Sequence, residues 1–175
     1  MKPNGFTLIE LMITIAVMAV LLGFAVPSLS NLVYQSQLAG AVNELNVQVS
    51  TARTEAATRG RNTYICGTSD GIECDGEWAN GLMTWVDLNG DETPQDNEIR
   101  RFYPIDTRAL ILNSNVDALQ FNPRGQRVSA NPNFTIVHEK CSDTNNLSRA
   151  ASVGATGRFV VNFLGCDGSQ VEVQN

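Results

Sequence analysis

The chain has 175 residues with 18 acidic against 12 basic side chains, a formal net charge of −6. That balance excludes a chain that binds nucleic acid through its charge as a whole. Setting aside the first thirty residues leaves about 145, enough for one globular domain with its own core. The first predicted element is the run Phe6 to Leu29, apolar apart from Thr7, Glu10, Thr14, Gly23 and Ser28, with no charged residue from Leu11 to Asn43. Roughly 20 apolar residues cross a bilayer as a helix, the only open-ended structure that satisfies its own backbone in lipid. Glu10 breaks the run, and an ionisable group near the end of a span needs a partner.

Gly5-Phe6-Thr7-Leu8-Ile9-Glu10, preceded by a short basic segment with Lys2, resembles the processing site of type IV pilins and type II secretion pseudopilins. The resemblance implies a leader, residues 1–5, removed by an inner-membrane prepilin peptidase between Gly5 and Phe6. It further implies an N-methylated Phe6 and an assembly role for Glu10. In a packed filament a neighbour's Phe6 ammonium would pair with Glu10, so that two charges each costly alone become tolerable together. A secretory signal would place cleavage after an apolar run of about 7–15 residues at a small-residue site; this run is longer and continues into Pro27-Ser28-Leu29. A plain single-span anchor would leave Glu10 unexplained.

The helical pattern continues past Pro27, where a kink is expected because proline lacks a donor and crowds the preceding turn. Leu38, Ala41, Val42, Leu45, Val49, Ala52 and Ala56 recur at spacings of three and four, making one apolar stripe. One helix is therefore expected from Phe6 to Thr58, ended by Gly60 with Arg59 and Arg61 at its negative end. Strands are expected at 63–66, 82–86, 99–103, 109–112, 118–122, 134–139, 158–163 and 171–173, each β-branched or aromatic and bounded by turn residues. A helix followed by a run of strands argues an α+β fold, a long N-terminal helix packed on an antiparallel sheet. The expected organisation is leader 1–5, hydrophobic helix 6–29, amphipathic continuation 30–58 and a β-rich domain 59–175.

Trp85-Val86-Asp87-x-Asn89, Glu98-Ile99-Arg100, Phe121-Asn122-Pro123-Arg124-Gly125 and Gly157-Arg158 together resemble the FimT/FimU and type II secretion H branch of pilin-like proteins. The resemblance implies a minor pilin at or near the tip of a type IV pilus, acting in its assembly. Its implied partners are other major and minor pilins, the prepilin peptidase and, before assembly, the inner membrane. The implied location is a single-pass inner-membrane precursor with a periplasmic domain, then the cell surface. Type II secretion and DNA uptake are the alternatives. Some FimT proteins hold DNA through G-R-x-R, but Gly157-Arg158-Phe159-Val160 lacks the second arginine, leaving Arg124, Arg127, Arg149 and Arg158 as candidate phosphate contacts.

Charge is unevenly distributed. Residues 70–98 hold nine acids and no Lys or Arg, whereas 99–158 hold eight bases against four acids, which argues for an acidic face and a basic one. Cys66, Cys74, Cys141 and Cys166 all follow the apolar run and read as two disulfides. Of three connectivities, Cys66–Cys74 with Cys141–Cys166 is favoured because each closes a local segment. Zinc ligation lacks the required spacings, and His138, the sole histidine, is read as a strand-surface residue. Asp87, Asn89, Asp91 and Glu98 fall at EF-hand-like positions, yet the turn glycine is replaced by Glu92 and no helix pattern flanks them, so a solvated acidic turn explains them equally well. No nucleophile elbow, phosphate-cradling loop or cofactor motif is present, and neither catalysis nor a cofactor is expected.

Overall fold

The computed structural model describes residues 6–168, with the side chains of 24–28 outside that description. Helix α1 runs from Leu8 to Arg59, about 80 Å at ~1.5 Å per residue. Thr7 caps its start, the hydroxyl accepting from Glu10 N–H at 3.3 Å. Gly60 ends it in the left-handed conformation with φ 62°, its N–H returning to the Ala56 carbonyl. The helix is one element across position 27, and the kink expected at Pro27 lies outside the described side chains.

Eight strands follow: β1 Thr63–Gly67, β2 Gly81–Val86, β3 Ile99–Pro104, β4 Leu110–Ser114, β5 Ala118–Phe121, β6 Asn133–His138, β7 Ser148–Val153 and β8 Phe159–Leu164. They form two antiparallel sheets, ordered β3-β2-β1-β5 and β4-β6-β7-β8. The α+β architecture is as expected, with the strands divided between two sheets. β7 has no counterpart in the sequence reading, and the strand expected at 171–173 lies outside the described residues.

The core sits where the lower half of α1 meets both sheets. Leu38, Ala41, Leu45, Val49, Ala52 and Ala56 are buried with Ile65, Leu82, Leu119, Phe121, Phe134 and Ile136, while Val42 packs at the edge. Trp78 bridges the sheets, donating Nε1–H to the Val116 carbonyl at 2.9 Å and meeting Phe134 edge-on. Its backbone lies so close to Gly67 that a Cβ there would collide with it. The buried Gln48 is satisfied by Glu44 at 3.2 Å and by the Thr84 hydroxyl, as a polar group in a dry interface must be. Because side chains alternate along a strand, Tyr64, Cys66, Met83 and Trp85 form a separate cluster on the sheet face away from α1. The segments 68–80 and 87–98 fold over that face, the first held to β1 by the Cys66–Cys74 disulfide.

Candidate assembly surfaces

The upper part of α1 is the largest apolar surface of the chain. Every described large apolar side chain from Phe6 to Leu22 is exposed, Leu8 to 76%. A contiguous apolar patch of this extent marks an interaction surface. Among the described residues no helix is long and apolar enough to cross a membrane; the described side chains of the apolar run stop at Gly23 and resume at Leu29. Glu10 projects from the first helical turn, with Thr7 and Glu10 at the two positions of a capping box, T-x-x-E, a signal the sequence reading did not use. An acid there also complements the positive end of the helix. Phe6 is exposed beside it, and Gly5 lies outside the described residues.

Most of the cations expected to make a basic face are engaged locally. Arg101 forms a two-bond fork with Glu44 on α1, at 2.8 and 3.0 Å, and this contact raises its pKa above the usual arginine value, by hydrogen bonding first and charge second. Arg100 lies 3.5 Å from Glu55, which also pairs with Arg59. Arg108 pairs with Asp106, and Lys140 with Glu139. The Arg101–Glu44 and Arg100–Glu55 pairs join α1 to β3.

Of the four candidate phosphate contacts, two are occupied. Arg127 donates to the Ser129 carbonyl and, at 2.7 Å, to Asn131 Oδ1. Arg149 lies 4.1 Å above the Phe163 ring and donates to the carbonyls of Asn146 and Ser148, and burial lowers its pKa. Arg124 and Arg158 are exposed, with no side-chain partner among the described residues. Arg149 and Val153 stand four residues apart on β7, roughly 13 Å at the rise of a strand, so Arg149 lies at the far end of β7 from the turn that carries Arg158. The four do not form one patch.

What joins the two motif-bearing turns is a residue the sequence reading passed over. Arg53 donates Nε–H to the Gly125 carbonyl at 3.3 Å and Nη1–H to the Gly157 carbonyl at 3.1 Å. The Asn122–Gly125 turn is closed by Asn122 Oδ1, which accepts from the backbone N–H groups of Arg124 and Gln126 at 3.0 Å each. Gly157 has φ 76°, and a Cβ there would collide with the Arg53 guanidinium. Both motifs therefore serve the docking of α1. Only a basic residue one helical turn from Ala56 and Val49 on a polar stretch marked Arg53, too weak a signal to single it out.

The side chains of the acidic loop are committed to local hydrogen bonds. Asp91 commits its carboxylate to Thr93 N–H, Asn89 Nδ2 and Gln95 Nε2, and Asp87 accepts from Gly90 N–H. Glu98 is buried and accepts from Leu88 N–H at 2.8 Å. Among the described residues no group of three or more His, Cys, Asp or Glu is placed to hold a metal ion. His138 also departs from expectation: it is 3% exposed, with Tyr34 at 4.7 Å and Gln37 at 2.9 Å on α1. The second disulfide, Cys141–Cys166, spans 25 residues and ties the end of β8 to the turn after β6.

Known proteins agree with this layout. The model of the type II transport protein GspH family matches residues 41–157, from the buried stripe of α1 to the turn before β8. The chain belongs to the GspH family. The prokaryotic N-terminal methylation motif matches residues 1–26. Pilin-like protein PilA1 of Thermus thermophilus is 36% identical over 89 residues, 51% of each chain, so the chain spans about half the length of this curated relative. The Pseudomonas aeruginosa type IV minor pilin FimU superposes with a TM-score of 0.54 at 24% identity, covering 72% of this chain and 88% of that one. The minor pseudopilin EpsH of the Vibrio cholerae type 2 secretion system gives 0.52 at 10%, covering 73% and 97%. Those two likenesses establish the fold. Its family match and methylation motif make the GspH-family chain a pilin-like structural subunit.

Proposed function

We propose that this chain is a minor pilin incorporated at or near the tip of a type IV pilus, where it acts in assembly. The observation that carries the reading is the apolar run of α1, whose described large apolar side chains up to Leu22 are all exposed, opened by Thr7 and Glu10 inside a matched methylation motif. On this reading prepilin peptidase cuts between Gly5 and Phe6, and Phe6 is N-methylated. The precursor is a single-pass inner-membrane protein with a periplasmic domain. The apolar helix rests in the bilayer until neighbouring pilin helices replace its lipid contacts and their Phe6 ammonium meets Glu10. The GspH match supports a second reading, a minor pseudopilin of a type II secretion system.

The test is a count of surface pili, by electron microscopy, on cells lacking the gene and on the same cells complemented with it. Loss of pili that complementation restores is the expected result. Unchanged piliation with failed export of folded enzymes would overturn it in favour of the secretion reading.

A further inference from the structure

At the end of α1 far from Phe6, a groove of about 410 Å³ opens between the helix and the Asn122–Gly125 turn. Ser50, Thr54 and Thr58 line one side at four-residue spacing, so their hydroxyls share one helix face. Arg53 and Arg124 bring two positive charges, and no described Asp or Glu lines the groove. Arg53 is anchored by the Gly125 and Gly157 carbonyls, which hold its guanidinium in place without neutralising it. Arg124 is exposed and in no ion pair among the described residues, and so is Arg158, the residue after Gly157. In a chain of net charge −6, this is a local excess of cations built around an anchored arginine.

The matching excess of anions lies at the other end of the domain. The segment between β1 and β2, tied back by the Cys66–Cys74 disulfide, carries Asp70, Glu73, Asp75 and Glu77 with no Lys or Arg. Asp70 and Asp75 serve the segment itself, accepting from the N–H groups of Ile72 and Glu77 at 2.8 and 2.9 Å. Glu73 and Glu77 are exposed, and neither carboxylate is in an ion pair among the described residues. At the two ends of the segment, Asn80 donates to Ser69 Oγ at 3.0 Å, and the Asn80 carbonyl accepts from Ile105 N–H at 2.9 Å. Ile105 borders a pocket with Gly40 and Ala41 of α1. The groove begins at Ser50, further along the helix by roughly 14 Å at ~1.5 Å per residue. Within one chain the two sets of charge stand at opposite ends of the domain and do not pair.

Charges that are complementary but separated within a chain can meet between chains. We propose that the groove receives the 70–77 segment of a second copy of this chain, with Glu73 and Glu77 pairing with the guanidinium groups of Arg53, Arg124 and Arg158. Guanidinium groups suit that role because they fork to carboxylates. Such a contact is head-to-tail: each copy offers its groove to one neighbour and its acidic segment to another, so the pairing propagates and does not close on a dimer. A loop already closed by a disulfide and an arginine already anchored lose little freedom on docking. A nucleic acid fits less well, because the nine acids of residues 70–98 oppose a polyanion. Only the setting of the contact, a filament, rests on the assembly reading; the charge pairing does not.

The test uses the full chain in lipid nanodiscs holding one chain each, as donor-labelled and acceptor-labelled populations whose association is read by energy transfer. Wild-type chains are expected to associate saturably and to separate as salt is raised. Arg124→Glu with Arg158→Glu makes one variant and Glu73→Lys with Glu77→Lys another, all four positions being exposed. Each variant alone should associate about tenfold or more weakly than wild type, since its groove and its segment then carry like charge. Mixed together, the two variants should regain association, because the reversed groove of one meets the reversed segment of the other. That recovery also excludes misfolding as the cause of either loss. No association of wild-type chains, undiminished association of either variant alone, or no recovery in the mixture would overturn the proposal. Retention of a short DNA duplex by chains that do not associate would overturn it in favour of nucleic acid. No pilus forms in this test, so its failure leaves the assembly reading standing, and a pilus count against that reading leaves this result intact.

Discussion

His138 sits in the joint between α1 and the second sheet with both ring nitrogens engaged. Nδ1 accepts from Lys140 N–H at 3.0 Å, so Nε2 carries the proton and donates to Gln37 Oε1. A second proton on the ring would face an N–H and lose that bond. Burial accordingly lowers the His138 pKa, while the charges of Glu139 and Lys140 act in opposite directions. The unfolded chain takes up its proton near pH ~6.5 and the folded one only at lower pH, so between those values the unfolded state binds more protons and stability rises with pH. The contribution is therefore complete above about pH 6.5 and is lost as pH falls below it. Urea unfolding of the full chain in micelles should show a lower midpoint at about pH 5.5 than at about pH 7.5, with a flatter dependence in His138→Gln. An equal dependence in the variant would assign the effect elsewhere. Asp70, Asp75 and Asp91 have lowered pKa values, caused chiefly by the Ile72 N–H, Ser69 and the Thr93 N–H respectively. Their contribution is present above the ordinary carboxyl range and lost only as pH falls below ~4, a separate window.

Between elements, Arg53 is the pin that holds α1 to two turns 72 and 104 residues away. Arg53→Ala removes two charge-assisted hydrogen bonds at a partly buried site and should cost about 1–3 kcal/mol. Gly157→Ala forces an alanine to φ 76° against the guanidinium and should cost about 2 kcal/mol or more. Because truncating Arg53 also clears the space that the added methyl group needs, the double variant should cost less than the sum by on the order of 1 kcal/mol, in a denaturation cycle. Strict additivity would show that the turn does not depend on Arg53. The pin was illegible in the sequence for a physical reason: its acceptors are backbone carbonyls, which no side-chain pattern announces. α1 was legible because the Leu38-to-Ala56 stripe is a purely local periodicity, closed by Gly60. β7 was not, because Ser148-Arg149-Ala150-Ala151-Ser152 has little intrinsic strand preference. It is a strand because β6 and β8 hydrogen-bond to both its edges. The partition into two sheets was hidden likewise, since β5 returns to pair with β1 past β2, β3 and β4.

The molecule as a whole is lopsided, a packed domain on the lower half of a helix whose described large apolar side chains from Phe6 to Leu22 are all exposed. That asymmetry was legible from residues 5–29, because unbroken apolarity and one acid are properties of composition and not of tertiary context. The two roles open to Glu10 are distinguishable. As the N3 residue of a capping box it would stabilise the helix start by about 0.5–1 kcal/mol, too little to unfold the domain. As the partner of a neighbouring Phe6 ammonium it would decide whether the apolar helix can leave the bilayer at all. Gly5→Ala should block leader removal, seen as an unshifted precursor on a gel. Glu10→Ala should be processed normally yet be missing from sheared pili. Glu10→Gln separates the causes, since the amide can still reach back to the Thr7 N–H but has no charge to offer an ammonium. If pairing is the reason the acid is there, Glu10→Gln should be absent from pili as completely as Glu10→Ala; normal incorporation of the glutamine variant would leave helix capping as its role.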